Sequence, residues 1–137
     1  MSNTAANYTA ESHTLSHQQQ TLLAAFQDAA FVNGGHGIAL DEDTLEPMPA
    51  GKGERKFRGF NLFSTCKDVE LTFFCDGSRL FVEAPEVENI AGDDEPANYV
   101  HTGREVRVLV TAHRDGGFVV KTEWWEVTHS ASYVHNG

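Results

Sequence analysis

The clearest fold signal in the chain is the stretch from residue 105 to residue 128, EVRVLVTAHRDGGFVVKTEWWEVT. Apolar and polar side chains alternate through its two halves, which is the period of a β-strand with one buried face. Between the halves, Asp115-Gly116-Gly117 can form a three-residue turn, because glycine adopts the positive φ that such turns require. The stretch therefore predicts an antiparallel hairpin with strands at Glu105–His113 and Phe118–Thr128.

The register of this hairpin follows from placing its apolar residues on one face. The expected pairs are Ala112 with Val120, Val110 with Thr122, and Val108 with Trp124. Trp124 is then expected to face the core, so its truncation should cost far more stability than truncation of Trp125. The same register leaves Arg107 opposite Trp125 on the other face, which predicts a cation–π contact between them.

Upstream of the hairpin, the period of two residues continues in short aromatic and β-branched runs. The runs that predict strands are Phe57–Thr65, Val69–Cys75 and Leu80–Glu83. Together they indicate a three-stranded meander. The segments Gly35–Gly53 and Pro85–Tyr99 contain acids and prolines, and they predict loops, the first with at most a short strand at Ile38–Leu40.

A single helix is predicted ahead of the strands. Leu15, Leu22 and Phe26 recur at helical spacing, Thr14 is a candidate N-cap, and Asn33-Gly34-Gly35 provides a stop. The expected fold class is therefore α+β, with one N-terminal helix packed on a mainly antiparallel sheet that combines a meander with a C-terminal hairpin. A sheet curled toward a barrel stays open as an alternative.

The domain organisation is expected to be simple. Residues 1–13 are polar and lack apolar periodicity, which predicts a flexible arm in front of a single domain at 14–137. No apolar run approaches the roughly 20 residues that a membrane-spanning helix needs. The polar N-terminus also lacks the basic start and apolar run of a secretory signal, so we expect a protein of the reducing cytoplasm.

Cysteines and histidines give no complete site from the sequence alone. Cys66 and Cys75 bracket a predicted strand that holds them too far apart for a disulfide, so both are expected to be free, packed thiols. His101 and His129 become diagonal neighbours if the hairpin ladder extends far enough, but zinc usually takes three or four protein ligands and no third is evident. His36 is expected on a loop. No metal or cofactor is predicted.

Charge is unevenly distributed along this acidic chain, whose net charge is −10. Basic residues cluster beside phenylalanines in the segment from 52 to 58, whereas acids dominate from 86 to 95. The candidate interaction residues are Lys52, Arg55, Lys56, Arg58, Glu86, Glu88, Asp93, Asp94 and Glu95. Opposite charges of this kind can orient an association between subunits.

No nucleophile elbow, His-Glu-x-x-His or phosphate loop occurs in the sequence, and the chain is expected to be non-enzymatic. The favoured function is a protein-interaction or assembly module that binds itself or another protein as a homo-oligomer or complex subunit. One alternative is an acidic inhibitor that mimics nucleic acid. Others are a single-stranded nucleic-acid binder using residues 52–63, which the net charge opposes, and a small enzyme or ligand carrier. The latter would have a pocket between helix and sheet, lined by Phe26, Phe73, Phe81 and Trp124.

Overall fold

The computed structural model describes residues 15–32 and 35–126, which form one helix and six strands. The elements are α1 (His17–Ala29), β1 (Leu40–Met48), β2 (Glu54–Asn61), β3 (Cys66–Phe74), β4 (Arg79–Asn89), β5 (Tyr99–Ala112) and β6 (Phe118–Glu126). All six strands pair antiparallel with their neighbours in chain order. The predicted α+β class and meander are confirmed. The sheet is open, with β1 and β6 at its edges, and it does not close into a barrel. The predicted arm at 1–13 and His129 lie outside the described residues.

The helix begins at His17, two residues after the first apolar residue of its pattern, Leu15. Its N-terminus is closed by a capping box between Ser16 and Gln19. The Ser16 hydroxyl accepts from the Gln19 backbone N–H at 3.1 Å, and the Gln19 carboxamide accepts from the Ser16 N–H at 2.9 Å. This capping box places the start at Ser16, whereas Thr14 lies outside the described residues. Leu22, Leu23 and Phe26 form its buried stripe. No helix in the described part of the chain is long and apolar enough to cross a membrane.

The core lies between α1 and the sheet face that α1 covers, which we call the inner face. Alternate residues of β2 to β5 point into it, and α1 packs on β4, β5 and β6. Phe57 and Phe73 meet edge to face, with ring centroids 5.9 Å apart. The inner positions of β3, β4 and β5 are almost fully buried, and they include Leu71, Val82 and Val108. Burial on this one face holds the sheet and helix together.

Two segments predicted as loops are partly strands. β1 spans Leu40–Met48, and its register against β2 shifts between Asp41 and Glu46. The Thr44 hydroxyl supports this bulge, since it donates to the Asp41 carbonyl at 2.6 Å and accepts from the Phe60 N–H at 2.8 Å. Acids and proline, typical of loops, are equally typical of edge strands, which explains the missed strand. β4 and β5 likewise extend into the predicted loop at 85–99.

The hairpin of β5 and β6 exists, but the predicted register is wrong by two residues. Ala112 pairs with Phe118, and Val108 pairs with Thr122. Five residues, 113–117, connect the two strands. Within this connection the His113 N–H bonds the Gly117 carbonyl at 2.8 Å, and Gly116 takes a φ of +91°. A shift of two residues preserves the face of every side chain.

The two tryptophans of β6 therefore point to the predicted faces but meet different neighbours. Trp124 lies opposite Val106 on the inner face, and Trp125 lies opposite Glu105 on the outer face, the one away from α1. The Arg107 guanidinium still stacks over Trp125, 4.6 Å from a ring centroid, although the two residues are diagonal partners. Trp124 is 41% exposed and Trp125 is 46% exposed, so the expectation that Trp124 is buried is wrong. β6 is an edge strand, and its inner face extends beyond the core.

His36 lies on a loop, as expected, but it is buried. Its ring stacks on Phe26 with centroids 4.2 Å apart. Nδ1 accepts from the Ile38 N–H at 3.2 Å, so Nε2 must carry the proton and donates to the Phe26 carbonyl at 2.8 Å. Burial lowers the pKa of His36, and the bond to the Phe26 carbonyl opposes that shift only in part. The imidazole thus ties the end of α1 to the start of β1 in its neutral form.

This buried imidazole predicts a pH-dependent loss of stability. Below the ordinary pKa of 6.5, the unfolded chain binds a proton that the native His36 does not, so stability falls with pH until the lowered native pKa is reached. One such group contributes up to about 1.4 kcal/mol per pH unit. Urea unfolding of the wild type and of His36→Phe, at pH 7.5 and 5.5, should show the advantage of the wild type shrinking at the lower pH. Parallel pH dependences of the two proteins would contradict this.

Candidate functional site

The outer face of the sheet carries a row of charges that crosses all six strands in register. Each member is the direct cross-strand partner of the next. The row runs Glu46, Arg58, Glu70, Glu83, Arg107 and Glu123. Opposite charges face each other at every step except Glu70 with Glu83. No sequence pattern predicts this row, because its members are spread over 78 positions and align only through the register.

Cations also cover the aromatic rings of the outer face. Arg79 lies over Phe74 at 4.2 Å and Lys67 lies over Phe60 at 5.6 Å, in addition to Arg107 over Trp125. Each contact uses the attraction between a cation and the face of a ring. The outer face is therefore a charged surface with its rings partly shielded, and no helix of the described residues packs on it.

Carboxylates concentrate where the row has its one mismatch. A cavity of about 290 Å³ is lined there by Asp68, Glu70, Glu83 and Glu105, with Arg58 among the bases. Burial raises the pKa of Glu83, and the charge and hydrogen bond of Glu105 raise it further, while Arg107 opposes the shift. Only one ion pair at 3.9 Å joins Glu83 to Arg107, whereas Glu105 accepts from Arg107 at 2.7 Å. Glu83 is thus the less well compensated carboxylate.

A second cluster adjoins this cavity at the start of β3. Cys66, Asp68 and His101 each offer a ligand atom, and these atoms lie within 4.8 Å of one another. His101 Nε2 is 3.7 Å from Asp68 Oδ2. Asp68 Oδ1 is buried and has no hydrogen-bond partner. Burial raises the pKa of Asp68, and the charge of His101 and a backbone hydrogen bond work against that shift.

The curvature of the sheet brings this cluster together. β3 and β4 stop pairing beyond Glu70 and Glu83, and the ladder of β4 with β5 shifts register between Pro85 and Val87. Such bulges bend a strand pair, and here the bend carries the start of β5 to the start of β3. Stacking of Phe63 on Tyr99, with centroids 4.9 Å apart, ties the two ends together.

The cysteines differ from expectation in one respect. Both are free, as predicted, but both are exposed, so the prediction of packed thiols is wrong. Cys66 and Asp68 stand two positions apart in a strand and so share a face, which is the one sequence signal that was available. The strand pattern predicted His129 as the neighbour of His101, because the proximity of β3 and β5 across the bend cannot be read from strand patterns; His129 lies outside the described residues.

The predicted basic segment does not form one surface. Lys52 lies in the turn between β1 and β2, while Lys56 and Arg58 point to the outer face. Arg55 points to the inner face, where its guanidinium lies 5.0 Å from the centroid of Phe57. The phenylalanines are also divided, since Phe57 is buried in the core and Phe60 belongs to the outer face.

The predicted acidic segment lies at the other end of the sheet from Lys52. Glu86 is held by Arg104 through two hydrogen bonds, at 2.9 and 2.8 Å, and by the Thr102 hydroxyl at 2.7 Å. Glu88 is exposed on β4. Asp93, Asp94 and Glu95 are exposed in the connection to β5, where Glu95 accepts from the Gly92 N–H at 2.8 Å.

The residues proposed to line a pocket between helix and sheet are dispersed. Phe26 and Phe73 are fully buried in the core, Phe81 lies on the outer face, and Trp124 lies on the exposed part of β6. A smaller cavity of about 230 Å³ occurs at the end of α1 beside Leu62. The space between α1 and the sheet is filled by core side chains.

The two edges of the sheet differ in chemistry. β1 has a bulge, the acids Asp41 to Asp43, and Pro47, which are features that discourage pairing with another chain. β6 is regular and carries exposed apolar side chains on both faces. These side chains are Phe118 (40% exposed), Val119 (40%), Trp124 (41%) and Trp125 (46%). In the described part of the chain, no strand pairs with the free edge of β6.

The carboxylate cavity yields a stability prediction. Because the native pKa of Glu83 is raised, its charge destabilises the fold at pH 7, and this penalty disappears as pH falls through that pKa. Glu83→Gln should therefore raise the free energy of unfolding at pH 7 by roughly 0.5–1 kcal/mol, allowing for screening of a side chain that is partly exposed. The gain should vanish in acid. Glu88→Gln removes the same charge at an exposed site of β4, and an equal gain there would contradict the assignment to the cavity.

Comparison with known proteins identifies no family for this chain. No protein-family model, no curated protein and no solved structure matches it. Its function must therefore be argued from its own edge strand, its carboxylates and the cluster of Cys66, Asp68 and His101.

Proposed function

We propose that this chain is a non-enzymatic assembly module that pairs with a second copy of itself through the free edge of β6. The observation that carries the proposal is the contrast between a protected β1 edge and an open, apolar β6 edge. An exposed edge strand presents unpaired N–H and C=O groups that another strand can satisfy. A solid core beside an apolar rim fits assembly better than it fits enclosure of a ligand.

The backbone of β6 permits such pairing without loss of bonds inside the chain. The His113 N–H bonds Gly117, while the Ala112 N–H bonds Ser78 at the end of β4. Hydrogen bonds alternate along antiparallel strands, so the odd-numbered residues of β6 bond β5. The even-numbered residues, with Thr122 at the centre, then direct their N–H and C=O groups outward.

The side chains of β6 are self-complementary about Thr122. If Thr122 pairs with its own copy across a two-fold axis, Lys121 falls opposite Glu123 of the second chain, twice. The same register sets Val120 against Trp124 on the inner face and Val119 against Trp125 on the outer face. Opposite charges and aromatic–β-branched pairs are the cross-strand combinations that stabilise sheets. The exposed side chains of Val119, Trp124 and Trp125 would thereby lose contact with water.

The separated charge segments play a smaller part in this proposal. A contact between the basic residues at 52–58 of one copy and the acids at 86–95 of another stays a prediction. Such a contact would affect orientation and association rate more than affinity. Substitution of Lys52, Arg55, Lys56 and Arg58 by glutamine tests it, because only a docking role makes association fall while the fold is retained.

Thr122→Pro should convert the dimer to a monomer while the chain stays folded. Proline removes an N–H that points outward, so it breaks the proposed interface but no bond to β5. Sedimentation velocity over a range of concentrations measures the change, and circular dichroism with thermal melting checks the fold. Thr122→Val keeps the N–H and is the matched control, which should dimerise like the wild type. A wild type that stays monomeric at high concentration would overturn the proposal.

Charge reversal tests the register itself. Lys121→Glu alone sets glutamates opposite each other, and Glu123→Lys alone sets lysines opposite each other, so each variant should dimerise at least about fivefold more weakly than the wild type. A mixture of the two variants should form a heterodimer, because each new residue then meets its opposite charge. Fluorescence energy transfer between differently labelled chains reports the mixed species. Recovery no better than that of either variant alone would exclude pairing centred on Thr122.

A further inference from the structure

We infer that Cys66, Asp68 and His101 form a binding site for one transition-metal dication of the Zn²⁺ class, with a fourth position open to water or a small anion. The inference is independent of the proposed dimer. It rests on the convergence of three ligand atoms of different chemistry and on the second oxygen of the Asp68 carboxylate, Oδ1, which is buried and unpartnered.

The distances suit a tetrahedral metal after a small contraction. Bonds of about 2.0–2.3 Å to N, O and S imply ligand atoms roughly 3.3–3.7 Å apart in a tetrahedral site. His101 Nε2 and Asp68 Oδ2, at 3.7 Å, already have this separation. All three ligand atoms lie within 4.8 Å, so rotation of exposed side chains suffices to close the site. Cys66 and His101 are both exposed and free to make that adjustment.

The contact between His101 and Asp68 leaves the carboxylate without a hydrogen bond from the imidazole. At 3.7 Å the two groups are too far apart to share a hydrogen bond. Asp68 Oδ1 is inaccessible to solvent and receives no proton from any described residue, although buried carboxylate oxygens normally have a partner. A cation bound by Asp68 would supply the missing compensation.

The donor set selects the class of metal. A thiolate and an imidazole favour Zn²⁺ and similar borderline or soft ions over Mg²⁺ or Ca²⁺, which prefer oxygen ligands. Thiolate and carboxylate together balance the two positive charges, so the occupied site is neutral at the margin of the sheet. Three protein ligands leave one position open, which is the arrangement of zinc sites that bind water or substrate.

The scaffold restricts the ligands to this part of the sheet. Cys66 and Asp68 share a face of β3, and the Cys66 N–H is fixed by the Ser64 hydroxyl at 3.3 Å. His101 lies near the start of β5. The stacking of Tyr99, the first residue of β5, on Phe63 holds this start against the turn between β2 and β3. A bound metal would therefore link the start of β5 to the start of β3 and would restrict the motion of both segments.

Cobalt substitution of the full chain tests the site, because Co²⁺ reports its ligands spectroscopically. Under reducing conditions, Co²⁺ should bind with one equivalent per chain, showing the intense visible bands of tetrahedral coordination and a near-ultraviolet thiolate charge-transfer band. Zn²⁺ should displace it. Cys66→Ser should abolish the charge-transfer band, and Cys66→Ser, Asp68→Asn and His101→Asn should each weaken Zn²⁺ affinity by at least about 100-fold in competition with a chromophoric chelator.

Matched controls separate this site from casual binding elsewhere. Cys75→Ser removes the other free, exposed thiol, and His113→Asn removes an exposed histidine in the turn after β5. Both variants should bind Co²⁺ and Zn²⁺ like the wild type. Zn²⁺ should also raise the melting temperature of the wild type and of Cys75→Ser, but not of Cys66→Ser. Absence of the thiolate band in the wild type, or equal Zn²⁺ affinity in the wild type and Cys66→Ser with both folded, would overturn the inference.

Discussion

Packing of α1 on the inner face of the sheet is the contact on which the rest of the structure depends. An isolated helix of 13 residues is marginal in water, and a single-layer sheet has no interior of its own. Phe26 and its neighbours on α1 supply the second layer, and they bury Val82 and Val108 beneath them. One helix covers one face only, so the outer face and both edges remain open. Any binding function of the described residues must use these open surfaces or the ends of the strands.

The outer face and the β6 edge differ in how their exposed apolar side chains are covered. On the outer face, cations lie over the rings of Phe60, Phe74 and Trp125, and charges alternate along most of the row that crosses the sheet. These contacts lower the apolar area presented to solvent without a second helix. β6 has one such shield, at Trp125, whereas Trp124 is exposed on the inner face. Uncompensated apolar surface therefore remains at this edge.

Local patterns predicted the helix, the meander and the faces of the hairpin, because each depends on periodicity within a few residues. The register of β5 with β6 depended on the hydrogen bonds of the turn at His113 and Gly116, which composition does not reveal. The predicted face of each side chain was still correct, since the register differed by two residues, an even number. The cluster of Cys66 with His101 could not be predicted from local patterns, because β3 and β5 are not adjacent strands and the two residues meet only through the bend in the β4–β5 pair. Such long-range geometry has no signature in a single sequence.

The geometry of a β6 dimer follows from the symmetry of antiparallel strands. A two-fold axis through paired Thr122 residues stands perpendicular to the sheet, so the helices of both copies would lie on the same side. Their outer faces would then join into one surface of twelve strands, with Lys121 extending the charged row beyond Glu123 of the other copy. The proposed metal ligands lie on β3 and at His101 of β5, which precedes the residues of β5 paired with β6, Arg104 to Ala112. Assembly and metal binding would therefore use different parts of one sheet, and loss of either need not disturb the other.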